Sequence, residues 1–340
     1  MGKKIRWGLM GAGGIVNRWI RGAKQLEDEM EITAVASRSS VSAEAMAERW
    51  GIPRVMTYEE MAAADDIDVV YVPVPHPAHR ALAIQAMRGG KAVLVEKPAA
   101  VSAAEFEEMT ACARENGTFL MEAVWTRFFP AAKRVRELIA EGAIGDVRMV
   151  QAAFAGRVPD SQFEVRGRVL DPARAGGGLL DVGVYALHIA DFVYDRAPTD
   201  ILGLAAMDTD EHHLQVDEQA AWVCRYSGGA MAMLASGVRT SMEDTAYIYG
   251  TDGKMVLPRF WRPWEIRLTV GKEETVLEFP VPQRLTELQD EGFQYEIAHV
   301  NECLRQGLRE SPELPMETTL RVLQQCDTLR ASWGLRYPFE

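Results

Sequence analysis

Two places in this chain carry residue types that could move a proton: Glu96-Lys97-Pro98, which follows the apolar run Val93-Leu94-Val95, and the pair Asp181 and Tyr185. Proline lacks an N–H and restricts the residue before it, so the apolar run ends as a strand and leaves Lys97 at its carboxyl edge. In an open parallel sheet that edge is where ligands bind. Asp181 and Tyr185 stand four apart, which on a helix puts a carboxylate and a phenol on one face, one turn from each other. An unperturbed tyrosine, with a pKa near 10, is about three units too weak a base at pH 7, equivalent to roughly 4 kcal/mol. A neighbouring ammonium favours the phenolate and reduces that deficit. Lys97, Tyr185 and Asp181 are candidate catalytic residues by type, while the spacing of Asp181 and Tyr185 taken alone fits a capping residue and a partly buried ring as well. In a site that joined them, the expectation is that Tyr185 transfers the proton, Lys97 polarises the substrate oxygen and tunes the tyrosine, and Asp181 orients a hydroxyl or the lysine. The reverse assignment, with Lys97 as the acid/base, stays open.

These residues need a cofactor to exchange the hydride, and the first third of the chain supplies a place for one. Ile5 to Met10 reads as a buried strand, followed at once by Gly11-Ala12-Gly13-Gly14-Ile15-Val16 and a helical pattern. Gly11 permits the tight turn, and Gly13 and Gly14 let a pyrophosphate approach the backbone at the start of the helix, with Ile15 next in line. Val16 stands where Gly or Ala is usual. A second strand, Ile32 to Ala36, ends in Ser37-Arg38 and not in the acidic residue that would hold the ribose hydroxyls of NAD. A hydroxyl and a guanidinium suit a 2′-phosphate, so NADP(H) is favoured, with NAD(H) possible. The strand Val69 to Val72 runs into Pro73-Val74-Pro75-His76-Pro77-Ala78-His79, a stiff loop on the same carboxyl edge, where His76 and His79 are candidates to touch cofactor or substrate.

Alternating strands and helices predict a doubly wound parallel sheet up to about residue 123. From Ile201 to Leu277, consecutive strands with tight turns predict a mostly antiparallel sheet, so the fold class is α/β with a second, α+β domain. The expected boundaries are 1–123 and 124–340, with the last helix a candidate to pack back on the first domain. Gly156 to Gly178 is long and rich in Arg and Gly, as lids and binding loops are. A formal charge of −12 argues against a nucleic-acid partner, whose phosphates so acidic a surface would mostly repel. The four cysteines have no metal-ligand or disulfide spacing, and no metal is expected. With no signal peptide and no stretch read as a membrane span, the expected setting is the cytoplasm.

The strand and Gly-rich turn, the Pro-rich loop with histidine, Glu96-Lys97-Pro98 and the crossing at Trp125-Thr126-Arg127 together resemble the glucose-fructose oxidoreductase and inositol dehydrogenase family. Met121-Glu122-Ala123-Val124-Trp125-Thr126-Arg127-Phe128-Phe129-Pro130 is similar to its branch of dimeric dihydrodiol dehydrogenases and NADP-dependent xylose dehydrogenases. Asp181-Val182-Gly183-Val184-Tyr185 matches its Asp-x-Gly-x-x motif in the tyrosine form. The resemblance implies an NAD(P)-dependent dehydrogenase or reductase acting on a sugar, polyol or trans-dihydrodiol. It adds Pro73, Glu96, Lys97 and Trp125 to the cofactor contacts, and places Trp125, Phe154 and Arg168 on the substrate side. It also implies a homodimer, or a dimer of dimers, through the second sheet, which would account for alternating Trp222, Cys224 and Tyr226. A cofactor-binding regulator or sensor without turnover is the alternative, because fold does not fix function.

Overall fold

The computed structural model describes residues 3–207, 214–279 and 292–340. Contacts divide the chain into one unit of Met1–Trp125 with Val281–Leu320, and another of Thr126–Pro280 with Arg321–Glu340. A later stretch of chain, Val281–Leu320, is thus grouped with the first unit, beside the expected boundary at 123/124 with a last helix packing back. The helix Phe293–Arg305 packs its Phe293 on Gly22, its Asn301 Oδ1 accepts the Trp7 indole N–H at 2.9 Å, and Arg305 pairs with Glu29 at 3.1 Å. The part of this helix expected at 287–291 lies outside the described residues.

In the first unit, β1 (Ile5–Met10), β2 (Met30–Ala36), β3 (Val55–Met56), β4 (Val69–Val72), β5 (Ala92–Glu96) and β6 (Leu120–Ala123) form one sheet. Its order is β3-β2-β1-β4-β5-β6, and all its pairs are parallel. Every residue of β4 and β6 is buried, as expected of strands covered by helices on both faces. The connecting helices are α1 (Gly14–Ala23), α2 (Ser40–Trp50), α3 (Tyr58–Ala63), α4 (His79–Arg88) and α5 (Ala103–Asn116). Strand order reverses between β1 and β4, and in open sheets of this kind ligands bind at the carboxyl ends of the strands at such a reversal.

The second unit contains α6 (Pro130–Ala140), α7 (Asp160–Glu164) and α8 (Val184–Tyr194). Its sheet comprises β7 (Val147–Ala155), β8 (Asp200–Met207), β9 (Asp217–Arg225), β10 (Met231–Gly237), β11 (Ala246–Gly250), β12 (Gly253–Leu257), β13 (Glu265–Val270) and β14 (Glu273–Glu278). The order is β14-β13-β12-β11-β7-β10-β9-β8; β7 is inserted centrally, antiparallel to β11 and parallel to β10, and the remaining pairs are antiparallel. Pro172–Tyr194 contains an 18-residue window with the length and mean hydropathy, 1.2, of a membrane span, contrary to expectation, yet 83% of that window is buried in the protein. Its apolarity is that of a core helix. Arg127 anchors α8 through an ion pair with Asp191 at 2.8 Å, both side chains buried, and Arg321 reaches the same carboxylate at 2.7 Å.

Two other expectations change. Trp222, Cys224 and Tyr226 point inward, and the outward residues of β9 are Ala221, Val223 and Arg225. Both faces of this strand are apolar enough to alternate, and the bulkier set goes to the core because it buries more area. The Gly156–Gly178 segment is no bare loop. It contains α7 and two short 3-10 turns, and Phe163 and Leu170 join Leu214, Val216 and Val238 in a small core of their own.

Candidate functional site

The candidate residues fall into two sets, one in each unit. In the first unit the turn after β1 has the shape a dinucleotide phosphate requires. A Cβ on Gly11 would lie 2.9 Å from the Pro73 carbonyl, so the loops after β1 and β4 meet here only because Gly11 has no side chain. Cβ atoms on Gly13 and Gly14 would meet nothing within 4 Å, leaving open space in front of the backbone. Helix α1 starts with no side-chain cap and no acidic residue in its first turn, so its initial N–H groups and dipole are not answered by a protein carboxylate. Ile15 is half-buried beside them, and Val16 is fully buried, which seats the helix on the sheet despite the departure from Gly or Ala. These residues fit a dinucleotide pyrophosphate.

After β2 the chain presents Ser37 and the exposed Arg38, then Ser39 and Ser42 at the start of α2. Ser39 accepts the Ser42 N–H at 3.2 Å, and Ser37 Oγ accepts the Ser39 N–H at 3.4 Å. Tyr58 lies close by: burial raises its pKa, and the Arg38 backbone and guanidinium pull the other way. Hydroxyls and a guanidinium stand where an NAD-selective site would put a carboxylate.

Lys97, joined to Pro98 by a cis peptide bond, leaves β5 in a turn gripped at three successive residues. Glu96 Oε2 accepts the Lys97 N–H at 3.1 Å, and Oε1 accepts the Tyr71 hydroxyl at 2.5 Å. His79 Nδ1 lies 2.8 Å from the Pro98 carbonyl while its Nε2 lies 2.7 Å from that of Val74. Glu122 Oε1 accepts the Ala99 N–H at 3.0 Å, and Oε2 the Thr319 hydroxyl at 2.9 Å. Burial raises the Glu96 pKa, with Lys97 opposing it, and burial lowers that of His79. Two residues expected as cofactor contacts, His79 and Glu96, hold protein groups in this turn. His79 is wholly buried with carbonyls at both ring nitrogens, and Glu96, half-buried, has its oxygens on the Tyr71 hydroxyl and the Lys97 N–H, so both hold the lysine turn. His76 is buried too, its ring edge-on to His79 at 5.8 Å. Trp125, expected at both cofactor and substrate, is 3% exposed and stacked on Phe293 at 4.4 Å with Arg18 over both rings, so its area goes into packing.

The second unit brings its expected residues together in pairs. Asp181 lies in a π-helical turn, Leu179–Gly183, that precedes α8, and not in a continuous α-helix. Such turns occur mostly as single-turn bulges in α-helices, frequently at functional sites. Asp181 pairs with Arg168 at 2.7 Å, so the two residues read separately as catalytic and substrate-side form one ion pair. Tyr185, half-buried, has its ring 5.5 Å from that of Phe154, and Phe154 stacks on Trp261 at 5.3 Å. Trp261 donates its indole N–H to Asp244, and its carbonyl accepts the Thr126 hydroxyl at 2.7 Å. Trp261 and Asp244 were not singled out for this wall. The signal was present in Phe260-Trp261-Arg262-Pro263-Trp264, but an aromatic cluster does not say which ring joins a site and which the core: Phe260 is buried and Trp264 packs on Phe129 at 4.8 Å. A phenol beside two aromatic rings, with a carboxylate–guanidinium pair nearby in the chain, suits a ring-shaped polyhydroxy ligand: apolar ring faces stack and the hydroxyls meet charge-assisted acceptors and donors.

Comparison with known proteins finds relatives for both halves of the chain. Residues 5–124 match the family described as oxidoreductase, NAD-binding Rossmann fold, and residues 132–256 match the GFO/IDH/MocA C-terminal domain. The chain is 34% identical over 343 residues to the trans-1,2-dihydrobenzene-1,2-diol dehydrogenase of Mus musculus, covering 98% of each. A 3-ketoreductase from Actinomadura kijaniata, solved with NADP and TDP-benzene, is 26% identical with a TM-score of 0.82, covering 97% of this chain and 98% of that one. The aldose-aldose oxidoreductase of Caulobacter crescentus, 24% identical with 97% of both chains covered, shares the fold at a TM-score of 0.85. A cradle open at Gly13 and Gly14, a lysine turn braced from three sides and matches that span both halves lead to one conclusion: the chain belongs to the GFO/IDH/MocA oxidoreductase family, with an NAD-binding Rossmann fold.

Proposed function

We propose that the protein is an NADP-dependent oxidoreductase that transfers a hydride between the nicotinamide and a secondary alcohol or carbonyl of a trans-dihydrodiol, sugar or polyol. The observation that carries this reading is the likeness to trans-dihydrobenzenediol dehydrogenases over 98% of the chain. Lys97, Asp181 and Tyr185 are all present in it.

The nicotinamide, when bound, accepts or returns the hydride. The backbone at Gly13 and Gly14 holds the pyrophosphate, and Arg38 with the neighbouring serines holds the 2′-phosphate. Lys97 binds the substrate oxygen and offsets the negative charge that develops as its proton leaves. Tyr185 takes that proton in oxidation and returns it in reduction. Asp181, in its ion pair with Arg168, orients a second hydroxyl. Phe154 and Trp261 support the substrate ring. A second copy of the chain is the proposed partner, seated on the open face of the second sheet, where Leu202, Leu204, Val223 and Met233 are exposed side by side. Four buried, unbridged thiols suit a cytoplasmic setting.

The test is turnover of NADP with a panel of trans-dihydrodiols, aldoses and cyclic polyols, followed by absorbance of the reduced nicotinamide. Lys97→Met and Tyr185→Phe should each lower kcat about 10²–10⁴-fold while NADPH binding survives. Full activity in either variant removes its assigned role, and no turnover of any substrate class by the wild type removes the reading.

A further inference from the structure

Asp217, the first residue of β9, is wholly buried and touches neither of the candidate sets directly. Its Oδ2 accepts the N–H of Leu179 at 2.6 Å, at the entry to the π-turn that holds Asp181 and leads to Tyr185. Its other oxygen, Oδ1, lies against the Cα of Gly177, so closely that a Cβ there would collide with it, and Gly177 has φ +116, a conformation side chains rarely adopt. The run Gly176-Gly177-Gly178, read from sequence only as loop, is the cradle of this carboxylate. The same turn is fastened elsewhere: Gly177 N–H donates to the Val169 carbonyl at 2.7 Å, and the Tyr337 hydroxyl donates to the Gly176 carbonyl at 2.8 Å. One carboxylate thus holds the start of the segment on which two candidate site residues lie.

We propose that Asp217 is a positioning residue, whose ionised carboxylate holds the Leu179 N–H and so sets the aim of Asp181 and Tyr185, and whose protonation releases it. This rests on the reading of Asp181 and Tyr185 as site residues. Ionised, the carboxylate is a charge-assisted acceptor at a helical N-terminus; neutral, it is a weaker one. Burial pushes its pKa up to about 7, while the Leu179 N–H and the Arg330 guanidinium oppose that rise. The charged groups around it are mostly committed to partners. Arg330 also pairs with Asp327 at 3.0 Å and Glu340 at 2.9 Å, Glu218 pairs with Arg239 at 2.6 Å, and Asp171 pairs with Arg174 at 3.2 Å. Tyr337 stays neutral, since burial and the Asp217 charge both raise its pKa. Release and grip therefore exchange near neutral pH. Because the native pKa lies above the unfolded value near 4, the folded chain keeps a proton that the unfolded chain loses, so stability falls as pH rises from about 4 to about 7 and levels off above.

Three measurements test this on the full chain. In wild type, kcat should fall about tenfold per pH unit below about 7. Asp217→Asn, which cannot ionise, should lose that limb along with the decline of stability between pH 4 and 7. Arg330→Met, which removes an opposing cation, should move the limb to higher pH and covers the case in which Asp217→Asn does not fold. Amide exchange across Leu179–Tyr185, corrected for intrinsic rates, should be slower in wild type at pH 8 than at pH 6, with no such difference in Asp217→Asn. A limb that survives in Asp217→Asn or stays in place in Arg330→Met overturns the proposal, as does exchange in this segment that ignores pH. Absence of turnover in wild type would defeat the dehydrogenase reading and leave the exchange measurement to decide the role of Asp217 by itself.

Discussion

At the scale of single residues, the cofactor choice turns on one side chain. Arg38 is exposed after β2, flanked by Ser37 and Ser39, at a position where a carboxylate would repel a 2′-phosphate. Charge-assisted hydrogen bonds contribute about 1.5–3 kcal/mol, or roughly 10–100-fold in affinity. Arg38→Asp should therefore raise KM for NADP by about that factor and leave KM for NAD equal or lower; steady-state kinetics with both cofactors checks it. An unchanged preference would remove the argument from Ser37 and Arg38. The same scale shows why histidine and tryptophan are poor guides when read alone. His79 and Trp125 lie beside functional motifs in sequence, yet one spends its ring nitrogens on backbone carbonyls and the other stacks on Phe293.

At the scale of elements, α8 is held in place by a buried charge. Asp191 is shared by Arg127 and Arg321, at 2.8 and 2.7 Å, and both Arg127 and Asp191 are nearly inaccessible to solvent. Removing one partner of such a pair leaves a charge uncompensated in the interior and costs about 3–5 kcal/mol, whereas replacing both by apolar groups can be neutral. Asp191→Asn should lower urea stability by that amount. Arg127→Met with Asp191→Leu should recover part of the loss, with Arg321 near enough to solvent to rehydrate. Equal stability of Asp191→Asn and wild type would show that the pair does not anchor the helix. The arginine of the Trp125-Thr126-Arg127 crossing is thereby explained within its own unit, as an anchor for the segment that displays Tyr185.

At the scale of the whole molecule, the second sheet leaves one face uncovered by its own helices. Leu202 and Leu204 are 72% and 83% exposed on β8, with Val223 at 40% and Met233 at 46% on the adjoining strands. A contiguous apolar patch on a folded chain marks an association surface. Leu204→Glu with Val223→Glu should shift the protein to monomer in sedimentation velocity, since neither side chain contributes to the local core. A dimer that persists in this double variant would place the contact elsewhere.

Local signals were legible in the sequence wherever the physics is local. The turn at Gly11–Gly14, the missing acid at Ser37-Arg38 and the strand end at Lys97-Pro98 each follow from backbone sterics or charge within a few residues. The parallel first half follows from alternating strands and helices. Tertiary structure alone decided the rest. Which parity of β9 faces inward depended on which face of the sheet the rest of the unit covers, since both faces are apolar. That Arg168 meets Asp181, and that Asp217 holds the turn leading to Tyr185, depended on residues 13 and 38 positions apart. No periodicity records such distances: a buried carboxylate is recognisable only once the groups that exclude water from it are in place.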